Sequence, residues 1–173
     1  QLFEAQMKYF NYSFKINLIN EKNINEVKNN KKINIIDINH KFKNIFEKKS
    51  NYSNTYIKNT FKVSLKLLQN NKAYGLINGP ISKKKFLNKR YLGITEYLTS
   101  LTKTKETSML IFNNKLSVCP ITTHLPINKV SKNLSIKKIC SSVLRLNNFF
   151  NNKLKVKPKI AILGLNPHCE SNN

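Results

Sequence analysis

Glycine and proline are missing from the first 74 residues, and the 173-residue chain has only four of one and five of the other. No GxGxxG follows any apolar run, so the ordinary dinucleotide-binding fingerprint is excluded. No apolar run approaches the roughly 18 residues that a membrane-spanning helix needs, so no membrane span is expected. The start, QLFEAQMKYF, has neither the basic opening nor the apolar stretch of a signal peptide, and it lacks an initiating Met. Cysteine is scarce and unpaired in pattern: Cys119, Cys140 and Cys169 make an odd set without CxxC spacing. That excludes a disulfide framework and a zinc-knuckle pattern, and it fits a reduced, cytoplasmic setting. Acidic residues number 8 against 31 basic ones, a net charge of +23 that first suggests nucleic acid. Arginine, however, is nearly absent. Only Arg90 and Arg145 carry the planar guanidinium on which phosphate and base-edge recognition relies, and the other 29 basic residues are Lys. With 28 Asn and little Gly, Pro or Ala, the skew is what AT-rich codons produce. The charge therefore reads as a solvated Lys-rich surface, with no nucleic-acid partner expected.

What is present is enough for one folded, soluble domain: 40% hydrophobic residues in regular periodicity. KINLI (15–19) and INIIDI (33–38) read as strands joined by the polar stretch NEKNINEVKNNKK. From Tyr56 the apolar spacing changes. Tyr56, Phe61, Leu65 and Leu68 put one stripe on a helix of about four turns. AYGLI (73–77) reads as a compact buried strand closed by NGP, and a helix is expected to start near Thr95. SMLIF (108–112) and LSVCPI (116–121) read as paired strands across an NNK turn. Ile136, Ile139, Val143, Leu146 and Phe150 form a strongly amphipathic helix with Ser135 as its N-cap, and KIAIL (159–163) follows as a strand. The order implies an α/β protein with a mixed sheet flanked by helices.

Every Gly and Pro lies between residues 75 and 167, where NGPISKKKF, LGITEYL and the pair TTHLP and GLNPH end or interrupt elements. Ligands of open α/β sheets gather beyond the carboxyl ends of strands, and His124 and His168 each follow a strand-like run. Their imidazoles could converge on a divalent ion, given a third ligand, or each could hydrogen-bond within its own loop. Cys169, adjacent to His168, is a weaker candidate ligand. His40, in a Lys/Asn-rich stretch, reads as a solvated side chain. NGPISK presents backbone amides and Lys83 near a helix start, suiting either an anion such as phosphate or a tight turn before a solvated Lys run.

LINGPISK, GITEYL, ITTHLPINKV and AILGLNPH, in that order and at these intervals, resemble the 4-hydroxythreonine-4-phosphate dehydrogenase family of pyridoxal 5′-phosphate (vitamin B6) biosynthesis. The resemblance runs from about residue 55 to 168 and is weak before that. It makes 1–173 a partial dehydrogenase segment, with 1–54 weakly matched and 55–173 bearing the motifs. It implies a fold like the isocitrate and isopropylmalate dehydrogenases and a homodimer with active sites between subunits. The implied reaction is NAD- or NADP-dependent oxidation of a phosphorylated small-molecule substrate at its 3-hydroxyl, followed by loss of carbon dioxide. It also implies a divalent metal (Zn, Mg or Co) held by three histidines, of which His124 and His168 match the first two. The third would lie beyond residue 173, with most cofactor and phosphate contacts, so an incomplete piece lacking both family ends is expected. The resemblance assigns no further catalytic residue here.

Two departures stand out. The family usually has Gly-His-Thr-Glu where this chain has Gly93-Ile94-Thr95-Glu96, so Thr95 carries over as a substrate contact and Ile94 keeps the position without the chemistry. NPHCES also replaces the usual NPHAGE. Other readings are a sister dehydrogenase of threonate or erythronate 4-phosphate, and a non-catalytic remnant or basic binding protein.

Overall fold

A computed structural model describes residues 1–21, 24, 31–46, 51–88, 90–104 and 106–166, with only the backbone given for 51, 52 and 83. The chain divides into two compact units, Gln1–Arg90 and Tyr91–Asn173. Both combine helices with extended segments, as an α/β chain should.

In the first unit, helix α1 (Leu2–Tyr9) precedes strands β1 (Ile16–Ile19) and β2 (Ile33–Ile36), which pair in parallel with Ile16 opposite Ile33 and Ile19 opposite Ile36. Both strands fall where the apolar runs placed them. Across the pair, Asn17 donates to the Asn34 side chain at 3.0 Å, the kind of cross-strand contact that pins a register. Helix α2 (Asn51–Gln69) is longer than the stripe from Tyr56 foretold, because no Gly or Pro opposes it upstream. It lays Phe61 against Phe86 of the short helix α3 (Lys83–Phe86), ring centres 6.2 Å apart, and Asn54 donates to the Lys85 carbonyl. Phe61, Phe86 and Leu87 are buried, and removing one such side chain from water is worth roughly 1.5–3 kcal/mol.

The glycine shortage is visible in how helices stop. α2 ends with Asn71 in the left-handed region (φ 54°), its amide bonding Leu68 O and that of Lys72 bonding Leu67 O, the Schellman pattern usually built on Gly. Asn11 closes α1 in the same way, with Tyr12 N reaching Met7 O. No described glycine has positive φ; Asn and Lys take most of those positions. Asn tolerates this conformation better than most residues, so the Asn-rich composition still supplies usable helix ends.

In the second unit, α4 (Ile94–Thr102) starts one residue before the expected Thr95, and α5 (Ile136–Phe149) starts after Ser135, whose side chain accepts the Lys138 amide at 3.2 Å. α5 runs on into a π-helical turn at Phe150–Leu154. Its buried Ser142 meets Ser108 Oγ at 2.9 Å and Cys119 Sγ at 3.8 Å, while Arg145 donates to Ser108 and pairs with Glu106. These contacts join α5 to both arms of the expected hairpin. The arms pair only through one antiparallel bridge, Ile111 with Val118, and Asn113 caps the turn by accepting the Lys115 amide.

Two expected strands do not form. Residues 73–77 and 159–163 form no regular element and pair with no strand, with Tyr74 and Ile77 essentially fully exposed and Leu163 at 88%. An apolar run can specify an extended backbone, but a strand also needs a neighbour to complete its ladder. Among the described residues none is supplied, so the paired sheet is two-stranded and parallel rather than mixed. No described helix is long and apolar enough to cross a membrane.

Candidate functional site

The second unit brings GITEYL and TTHLP together. Gly93 is the N-cap of α4, extended at φ −157° and ψ 179°, and its carbonyl receives the first helical bond from Tyr97 N. Glu96 then falls in the first turn, where a negative charge suits the helix dipole. Tyr97, buried beneath the helix with its ring edge-on to Tyr91, has its hydroxyl pKa raised by desolvation and then by Tyr91.

A Cβ on Gly93 would stand 2.8 Å from Glu96 Oε2 and 3.5 Å from His124 Nε2. The absent side chain is therefore the space into which carboxylate and imidazole both lean. Thr123 donates to Glu96 Oε1 over a long 3.5 Å, whereas Glu96 Oε2 is buried and has no hydrogen-bond partner among the described residues. His124 itself is exposed and takes φ 56°, a left-handed conformation that costs a non-glycine residue roughly 1–2 kcal/mol. Pro126 just beyond it caps the short 3₁₀ turn Ile127–Lys129. Thr95 and Ile94 are half-buried in the first turn of α4.

The other expected site residues fare differently. His168 and Cys169 lie outside the described residues, and so does the Lys83 side chain; the Lys83 backbone opens α3 in the first unit. His40 is not the solvated side chain its surroundings suggested. It is half-buried and stacks on Tyr56 (4.5 Å, 23°), with Phe42 on a longer contact at 6.1 Å. Asp37, His40, Tyr56 and Glu4 help line a pocket of about 290 Å³ around strands β1 and β2. Burial, then the nearby Asp37 charge, raises the Tyr56 pKa. None of the motif residues lines that pocket. The only sequence sign of it was the polar-aromatic run from Asp37 to Phe42 directly after β2.

Sequence reasoning also missed Glu96 as a neighbour of His124. As to a metal, an imidazole on an exposed turn is a sound donor for a borderline divalent ion. Among the described residues, though, no three His, Cys, Asp or Glu side chains converge.

The fold and site define an α/β chain with an exposed histidine turn packed on a glycine-capped helix start. A solved 4-hydroxythreonine-4-phosphate dehydrogenase from Burkholderia phymatum shares the fold, with a TM-score of 0.82 at 24% identity over 96% of this chain and 51% of that one. The chain belongs to the family described as pyridoxal phosphate biosynthetic protein PdxA, whose model matches residues 1–173. The match thus includes the first 54 residues, where the motifs were weak. A 4-hydroxythreonine-4-phosphate dehydrogenase of Sulfurihydrogenibium sp. (strain YO3AOP1) is 38% identical over 143 residues, 81% of this chain and 43% of the relative. A D-threonate 4-phosphate dehydrogenase of Salmonella typhimurium is 33% identical over 82 residues, 47% of this chain and 25% of the relative. The chain spans less than half the length of these curated relatives.

Proposed function

We propose that this chain is the part of a dehydrogenase that presents His124 and Thr95 to 4-hydroxythreonine 4-phosphate, which the whole protein oxidises at its 3-hydroxyl with NAD or NADP. The β-keto acid so formed loses carbon dioxide. The observation that carries this reading is that two motifs of the family, GITEYL and TTHLP, meet around Gly93 in a chain that belongs to the family along its whole length. The fold class resembling isocitrate and isopropylmalate dehydrogenases, a homodimer and a cytoplasmic location are part of the same proposal.

His124 and His168 would hold a divalent metal (Zn, Mg or Co) with a third histidine of the whole protein. Bound there, such an ion supplies Lewis acidity to the substrate hydroxyl. The chain's own residues do the rest of the work assigned here. Thr95, on the first turn of α4, offers a hydroxyl to the substrate, and Ile94 offers apolar surface only.

D-threonate 4-phosphate is the second reading. Ile94 favours it, since a polar contact usual in the family is missing at that position, and relatives named for that activity are among those matched. The test is metal content and turnover of a family-length protein carrying this chain, with His124→Ala and His168→Ala together. Loss of both bound metal and activity, with the unfolding transition retained, is expected. Undiminished metal content in the double variant would overturn the ligand assignment.

A further inference from the structure

We propose that Glu96 is a positioning residue for His124, its Oε2 accepting the Nε2–H of the imidazole through the gap that Gly93 leaves. Glu96 is the third residue of α4 after its N-cap, where a capping-box carboxylate would reach back to the N-cap amide. That bond is not made. Oε2 is buried and has no partner among the described residues, while Oε1 accepts from Thr123, the residue next to His124. A buried carboxylate oxygen without a donor is costly and calls for a reason. The atoms nearest the missing Gly93 Cβ are Glu96 Oε2 at 2.8 Å, His124 Nε2 at 3.5 Å and Glu96 Cδ at 3.9 Å. Carboxylate and imidazole thus both approach the one small space that Gly93 leaves open.

The backbone agrees. His124 is held in the left-handed region, and it is the one described residue there that belongs to a family motif. Its Nε2 lies beside the Gly93 gap, and the residue as a whole remains exposed. A hydrogen bond at Nε2 fixes the ring orientation and leaves Nδ1 as the nitrogen with a free lone pair, the usual way a carboxylate prepares a histidine to receive a ligand. Gly93 is then required for room, since a methyl group there would push the carboxylate out.

The inference concerns the chain's own imidazole and can be read without metal or substrate, so its failure and that of the proposed activity are separable. With three histidines in the chain, long-range ¹H–¹⁵N spectra can be assigned using His124→Ala. A solvent-protected Nε2–H resonance is expected for His124 at neutral pH. It should be lost in Glu96→Ala and in Gly93→Ala, and retained in Glu96→Gln, which keeps an acceptor oxygen. No protected Nε2–H in the unmodified folded chain would overturn the proposal. So would an unchanged resonance in Glu96→Ala alongside a lowered unfolding midpoint, the result a purely helix-capping role would give.

Discussion

The first unit holds both paired strands and three of the four buried apolar side chains among the described residues, Phe61, Phe86 and Leu87. Among the described residues the second has a single β-bridge and one buried aromatic, Tyr97, yet it assembles the motif residues Gly93, Glu96, Thr123 and His124. Paired strands and most of the buried apolar mass therefore lie in one unit, and the histidine turn lies in the other. A histidine turn can be placed by one helix start, one glycine and one carboxylate, and these need little apolar mass around them. The first unit shows the converse: its pocket has two acids, a histidine and a tyrosine, but no residue from the family motifs.

The largest effect should come from the apolar side of this contrast. Phe61→Ala removes a buried ring stacked on Phe86 and should cost about 3–5 kcal/mol, read from hydrogen exchange at the α2 amides. An equal loss of protection in α5 would break the contrast by showing one cooperative unit. Next in size is Ile94→His in a family-length protein. Restoring a polar contact of about 1–3 kcal/mol should raise kcat/KM for 4-hydroxythreonine 4-phosphate by roughly ten- to a hundredfold. A fall, with D-threonate 4-phosphate the better substrate of the unmodified protein, would favour the sister reading. Ser135→Ala should then cost about 1 kcal/mol, seen as fraying of the first turn of α5, because the Lys138 amide loses its acceptor.

The smallest effect is electrostatic. Tyr56 and Tyr97, one in each unit, both have hydroxyl pKa values raised by desolvation. A raised folded-state value means that the neutral phenol is favoured by folding. The stability it contributes is present below the ordinary tyrosine pKa and is lost as pH rises through the folded value. Stability should therefore decline on the alkaline side of about pH 10. Asp37→Asn should lower the Tyr56 midpoint by removing the second cause and leave Tyr97 where it is, as ultraviolet titration would show.

How far the sequence foretold this varies from one element to the next. α5 was legible down to its cap, because five apolar residues at helical spacing follow a serine and local rules suffice. β1 and β2 were legible as apolar runs within polar surroundings. Residues 73–77 and 159–163 carry the same signal and stay unpaired, since periodicity records what a segment could bury but not which neighbour will accept it. α1 was missed in a stretch where no Gly or Pro punctuates the chain. At the site, His124 was visible from its motif, whereas the approach of Glu96 was not. Thr123 and Glu96 are 27 positions apart, and only folding shows that the Gly93 gap admits both carboxylate and imidazole. His40 was misread for the related reason that a Lys/Asn-rich neighbourhood does not reveal a stacking partner on α2.

The central claim, a dehydrogenase that depends on the His124 turn, is tested most directly by nicotinamide reduction. A family-length protein carrying this chain should be assayed by absorbance with 4-hydroxythreonine 4-phosphate, NAD or NADP and each divalent metal in turn, beside its His124→Ala form. The account predicts substrate-dependent formation of reduced nicotinamide in the first and its loss in the second, with the unfolding transition preserved. Equal rates in the two proteins, or no reduction by the folded unmodified protein with either this substrate or D-threonate 4-phosphate, would contradict it.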